Sequence, residues 1–123
     1  MLRRGRATAN QHAKALAGLL TGAGEPAPIQ DDFEFVWPED AFGSPAATVS
    51  TGPVVLRALL GSYQTAAASV LEPSYRVLHA SLAASIGQQI GALSGASGRA
   101  GAEPFPVAVD LEAASSALEA YLG

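Results

Sequence analysis

The chain has 123 residues, 7 Lys+Arg against 11 Asp+Glu, a formal net charge of −4 and no cysteine. That length allows one domain of ordinary size with a real core. The absence of cysteine excludes a disulfide scaffold, thiolate zinc sites and cysteine-dependent catalysis. The acidic balance argues against a nucleic-acid binder, which needs a basic face, and no apolar run approaches the ~20 residues of a membrane span.

Hydrophobic residues make up 49% of the chain, yet 26 of the 123 residues are alanine. Alanine favours helix but buries little area per side chain, so the core is expected to be thinner than 49% suggests.

Spacings of three and four predict a first helix over residues 6–21, with Ala9, His12, Leu16, Leu19 and Leu20 on one face. Thr21-Gly22-Ala23-Gly24 ends it, and Pro26 and Pro28 forbid its continuation. The basic start, Met1 to Arg6, resembles the first part of a signal peptide. No apolar stretch follows before Asn10-Gln11-His12, so a frayed basic helix start is expected.

Residues 24–52 read as a long connection with an acidic cluster of Asp31, Asp32, Glu34, Glu39 and Asp40. These acids lack the spacing of a calcium loop and predict a solvated acidic segment. Phe33-Glu34-Phe35-Val36-Trp37 alternates weakly like a strand. With no partner strand it is expected to be extended, its aromatics docked on a helical body.

A second helix is predicted over 53–71, with Thr51 as cap and Pro53 in the first helical position. Leu56, Leu59, Leu60, Tyr63, Ala67 and Val70 form its apolar face. After the break at Glu72-Pro73-Ser74, a third helix is predicted over 74–94, its stripe being Tyr75, Leu78, Leu82, Ile86, Ile90 and Leu93. Gly87 and Gly91 weaken it and are expected to permit close helix approach. A glycine-rich loop from Ser94 to Gly101 and a rigid Pro104-Phe105-Pro106 anchor precede a last helix over 108–122. Asp110 and Glu112 near its start suit the helix dipole. The fold class predicted is all-α, a bundle of about four helices.

Few residues offer chemistry. His12 lies on an apolar helix face and His79 at the edge of one. Each reads as a hydrogen-bonded core or edge residue. Gln89 falls between Ile86 and Leu93 on the inward side and needs partners, for which His12 and Tyr63 are candidates; Gln88 faces away. Tyr63 shares a face with Leu56. Glu112 and Glu119 are placed to share a solvated face. No nucleophile elbow, Walker A loop or dinucleotide fingerprint occurs.

Four segments in order resemble the ferritin-like proteins related to desiccation-associated proteins. They are Asn10-Gln11-His12-Ala13-Lys14-Ala15-Leu16 with its Gly/Pro turn, and Phe33-Glu34-Phe35 with Ala41-Phe42-Gly43-Ser44-Pro45. The third runs from Leu56 through Gly61-Ser62-Tyr63-Gln64-Thr65-Ala66, and the fourth is Ala83-Ala84-Ser85-Ile86 with the Pro104-Phe105-Pro106 that follows.

The resemblance covers roughly residues 6 to 122. It implies a single ferritin-like helical domain over 1–123, lacking the family's first helix, and a carboxylate-bridged two-metal centre. The chain departs from the family at the ligands. The resemblance puts Ala9, Leu56 and Ile90 where glutamates stand and Leu93 where a histidine stands. A slip of one residue puts Gln89 at the third glutamate. His12 and Tyr63 survive, so His12, Gln89 and Tyr63 are the remaining metal candidates.

Two hard cations need several carboxylates to offset their charge. The expectation is therefore a non-catalytic bundle with no cofactor, its buried carboxylates replaced by apolar side chains. A missing helix leaves an apolar face that a second copy fills, giving a homodimer. The alternatives are an iron-dependent oxidase or store, with His12, Gln89, Glu112 and Glu119 converging, and a small-molecule carrier. Six arginines against one lysine, with abundant alanine and glycine, suit a high-GC bacterial gene. Either side of a bacterial membrane is compatible with that composition.

Overall fold

The structure is a computed structural model that describes residues 2–98 and 108–122, the side chain of Leu2 apart. It is all-α, as expected: α1 (Leu2–Gly22), a short 3-10 turn (Gln30–Asp32), α2 (Pro45–Ser69), α3 (Pro73–Ala96) and α4 (Leu111–Glu119). The Pro104-Phe105-Pro106 anchor lies outside the described residues. The chain forms two compact units, Met1–Phe35 and Val36–Gly123.

The first unit is α1 and the segment that follows it. The helix begins earlier than the predicted residue 6, since nothing from Leu2 to Arg6 stops it. His12, Leu16 and Leu19 are half-buried as the spacing implies, whereas Ala9 and Leu20 are exposed. Gly24 ends the helix with φ 82°. Its N–H donates to the Thr21 carbonyl at 3.1 Å and the Glu25 N–H to the Leu20 carbonyl at 2.9 Å, the paired bonds of a Schellman cap. Beyond it, the Asp32 carboxylate accepts from the Ile29 N–H at 2.7 Å and closes the 3-10 turn. Phe33 and Phe35 do not bury: their rings lie 6.1 Å apart and both are exposed.

The second unit is built on the α2–α3 hairpin. Helix α2 starts at Pro45, not Pro53, so residues 45–52 are helix rather than loop. The Ser44 side chain accepts from the Ala47 N–H at 3.1 Å, and Pro45 takes the first helical position. Pro53 is buried inside the helix. Lacking an N–H, it leaves the Val49 carbonyl without its usual donor. The added turns of α2 bring Gly52 against Leu93, where a Cβ on the glycine would stand 3.2 Å from Cδ1.

Helix α3 ends at Ala96, so Ser94 to Ala96 are helical rather than loop. A short turn joins the two helices. Glu72 caps α3, its carboxylate accepting from the Ser74 hydroxyl at 2.9 Å. Arg76 reaches back, Nε and Nη2 donating to the Val70 carbonyl at 3.2 and 2.9 Å. The core is Leu60, Ala83 and Ile86, with Leu56, Tyr63 and Ile90 packed against it.

Helix α4 is shorter than predicted because Asp110 caps it, Oδ1 accepting from the Ala113 N–H at 2.7 Å. The segment before it docks on α2. Val109 lies over Gly61, and its carbonyl accepts from the Thr65 hydroxyl at 2.5 Å. Close approach runs through Gly61 and Gly52 of α2, not through Gly87, where a Cβ would meet nothing within 4 Å. Trp37 packs on Tyr121 with ring centres 5.4 Å apart, and the Val36 N–H donates to the Tyr121 carbonyl at 2.8 Å. The thin core expected from the alanine content is present. Among the described residues no large side chain is fully buried, and the least exposed are Ala41 and Ala114, each at 1%.

Candidate functional site

The residues singled out by sequence do not gather. In the α2–α3 hairpin Gly52 meets Leu93 and Tyr63 meets His79. This antiparallel register puts Gln89 near the level of Leu56, about two helical turns along α2 from Tyr63. Tyr63 is therefore not the partner of Gln89. His12 belongs to the first unit and is half-buried on α1. Glu112 and Glu119 are both exposed on α4. Among the described residues, no three His, Asp or Glu side chains come together as a metal would require.

The Tyr63 ring lies 6.3 Å from the His79 ring. His79 Nδ1 sits 2.7 Å from the Tyr75 carbonyl. A carbonyl only accepts, so Nδ1 carries a proton. His79 is thus tied to its own helix, as the edge position suggested. Burial pushes the Tyr63 phenol above its ordinary value of 10.0, because the phenolate loses solvation.

That shift has a signed consequence. The folded chain holds the neutral phenol while the unfolded chain ionises near 10.0. The stabilisation is fully present below that value and is lost as pH rises through the folded one. In a Tyr75→Phe, Tyr121→Phe background, phenolate absorbance should therefore rise at a higher pH in native than in urea-unfolded protein. Coincident native and unfolded titrations would contradict the burial.

Gln89 points inward as its spacing implies, and Gln88 is exposed. The Nε2 of Gln89 is buried without a hydrogen-bond partner, as is Oε1 of Gln64 on α2. A buried amide without a partner costs ~1–3 kcal/mol. Gln64 was legible too, since it follows Leu60 by one turn and so shares the core face. By the register Gln64 stands about two turns along α2 from the level of Gln89, and the two amides do not satisfy each other.

The positions that the resemblance maps to ligands are filled with hydrocarbon. Leu56 and Ile90 both pack on the cluster of Leu60, Ala83 and Ile86. Leu93 is buried at 9%. These side chains exclude water and offer no lone pair to a cation or a reacting group.

The second unit also shows an aromatic surface. Trp37 and Phe42 meet edge to face with ring centres 5.2 Å apart, and Tyr121 packs on Trp37 at a tilt of 47°. Trp37 is 38% exposed and Phe42 64%. Among the described residues no helix is long and apolar enough to cross a membrane. No protein-family model matches the chain, and no curated protein or solved structure matches it either.

Proposed function

We propose that this chain is a non-catalytic, ferritin-like helical bundle in which apolar packing replaces a two-metal centre, and that it acts as a structural or interaction module by pairing as a homodimer. The observation that carries the reading is the packing of Leu56 and Ile90 on the Leu60–Ala83–Ile86 cluster. Both stand where the resemblance places metal-bridging carboxylates. Self-association is supported by the apolar side chains left in solvent on the helices, Val54, Val77 and Leu111 among them. Surfaces of this kind mark interaction sites when they are contiguous.

Two measurements on one preparation test it. Purified protein offered iron and manganese, then desalted, should retain no stoichiometric metal, and sedimentation equilibrium should give the mass of a dimer. Retention of about two ions per chain, the content of a two-metal centre, would place the chain among metal-dependent oxidases or stores. A monomer at every concentration would remove the pairing.

A further inference from the structure

Charge is segregated along this chain. Helix α1 carries Arg3, Arg4, Arg6 and Lys14 and no acid. Its first turn has arginines and no carboxylate, the unfavourable sign for a helix start, whose free N–H groups already present partial positive charge. Such cations do not stabilise their own helix, and all four are exposed. The aromatic surface of the second unit has the opposite sign. Glu39 and Asp40 lie between Trp37 and Phe42 in sequence, Glu119 lies two residues before Tyr121, and all three are exposed. The cations of that unit among the described residues, Arg57 and Arg76, are on α2 and α3, and Arg76 is engaged at the Val70 carbonyl.

We propose that the Trp37–Phe42–Tyr121 surface receives the basic helix α1 of a second copy of this chain, reciprocally about a two-fold axis. The inference rests on the self-association reading and names its surface. The chemistry matches on both counts. Exposed aromatics flanked in sequence by exposed carboxylates suit an amphipathic helix bearing cations, and a guanidinium is attracted to the face of a tryptophan. The carboxylates steer approach and fix register more than they add affinity. A second copy is the occupant because each chain carries both the basic helix and the acidic aromatic segment, so a reciprocal pairing of two copies engages both sets. Acid at the start of α1 also relieves the misplaced charge there.

The test uses the full chain. Sedimentation equilibrium at about 0.05 M and about 1 M salt should show a dimer whose dissociation constant rises at least ~10-fold, because screening shortens from ~14 Å to ~3 Å. Trp37 is the chain's only tryptophan, so its emission should shift to the blue with protein concentration at low salt. Two charge-reversal variants complete the test. One carries Arg3→Glu, Arg4→Glu and Arg6→Glu; the other carries Glu39→Lys, Asp40→Lys and Glu119→Lys. Each alone should be monomeric with wild-type helical circular dichroism, and an equimolar mixture should re-form a dimer. If a variant fails to fold, salt dependence and Trp37 emission of the wild-type chain still decide. A dimer indifferent to salt with unchanged Trp37 emission overturns this placement and leaves self-association standing. Folded variants that do not pair when mixed overturn it likewise. A wild-type chain monomeric throughout removes both.

Discussion

Replacing Ile86 by alanine is expected to destabilise the second unit by ~2–5 kcal/mol, the range for deleting a buried aliphatic side chain. Ile86 is 3% exposed and forms the cluster with Leu60 and Ala83. The high end of the range applies where neighbours cannot collapse into the space. Here one neighbour, Ala83, is already an alanine and has no side chain to extend into the space. A domain of this size holds ~5–15 kcal/mol in all, so one such loss is a large share. Urea unfolding followed by circular dichroism measures it. Val77→Ala on the same helix is the control: Val77 is 66% exposed, and its change should stay within ~0.5 kcal/mol. Equal losses at the two positions would mean that Ile86 is not the centre of the core.

Gly61→Ala should destabilise although alanine is the better helix former. Helix propensity favours the change by ~1 kcal/mol. Against it stand contacts of 2.5 Å to Val109 Cγ2, 2.8 Å to its Cβ and 3.0 Å to its backbone nitrogen. A rotamer change relieves only the first. The backbone ahead of α4 must lift from α2, which strains the Thr65 hydroxyl bond to the Val109 carbonyl. Overpacking of this kind costs ~1–3 kcal/mol, so a net loss of ~1 kcal/mol or more is expected. Thermal unfolding should report it as a fall of ~4–8 °C per kcal/mol. Val109→Gly should recover part of the loss in the double variant. A Gly61→Ala chain more stable than wild type would show that Val109 does not sit there.

The helices were legible because their apolar spacings are regular, and α2 and α3 meet along the faces those spacings define. The start of α2 was not, because two start signals compete. Thr51 with Pro53 and Ser44 with Pro45 each supply a cap and a proline. The structure uses the earlier one, capped by Ser44, and there Gly52 packs on Leu93, a contact that no local pattern contains. Gln89 was legible as inward from Ile86 and Leu93, yet its missing partner was not. That depends on the register between helices, which puts Tyr63 beside His79 instead. The glycine that matters for close approach is Gly61 rather than Gly87, for a similar reason: the neighbour is a loop residue far along the chain.

That distance bears on the order of folding. The α2–α3 hairpin is joined by a short turn and closes at little entropic cost. The Thr65–Val109 bond spans 44 positions, and its loop must close before the contact returns any stabilisation. Docking of the α4 segment on Gly61 is then expected to be the late event on the way in and the first to release on the way out. Gly61→Ala should consequently steepen no folding barrier. It should raise the unfolding limb of the chevron and leave the refolding limb in place. The notch on α2 governs how long the native chain lasts more than how fast it forms.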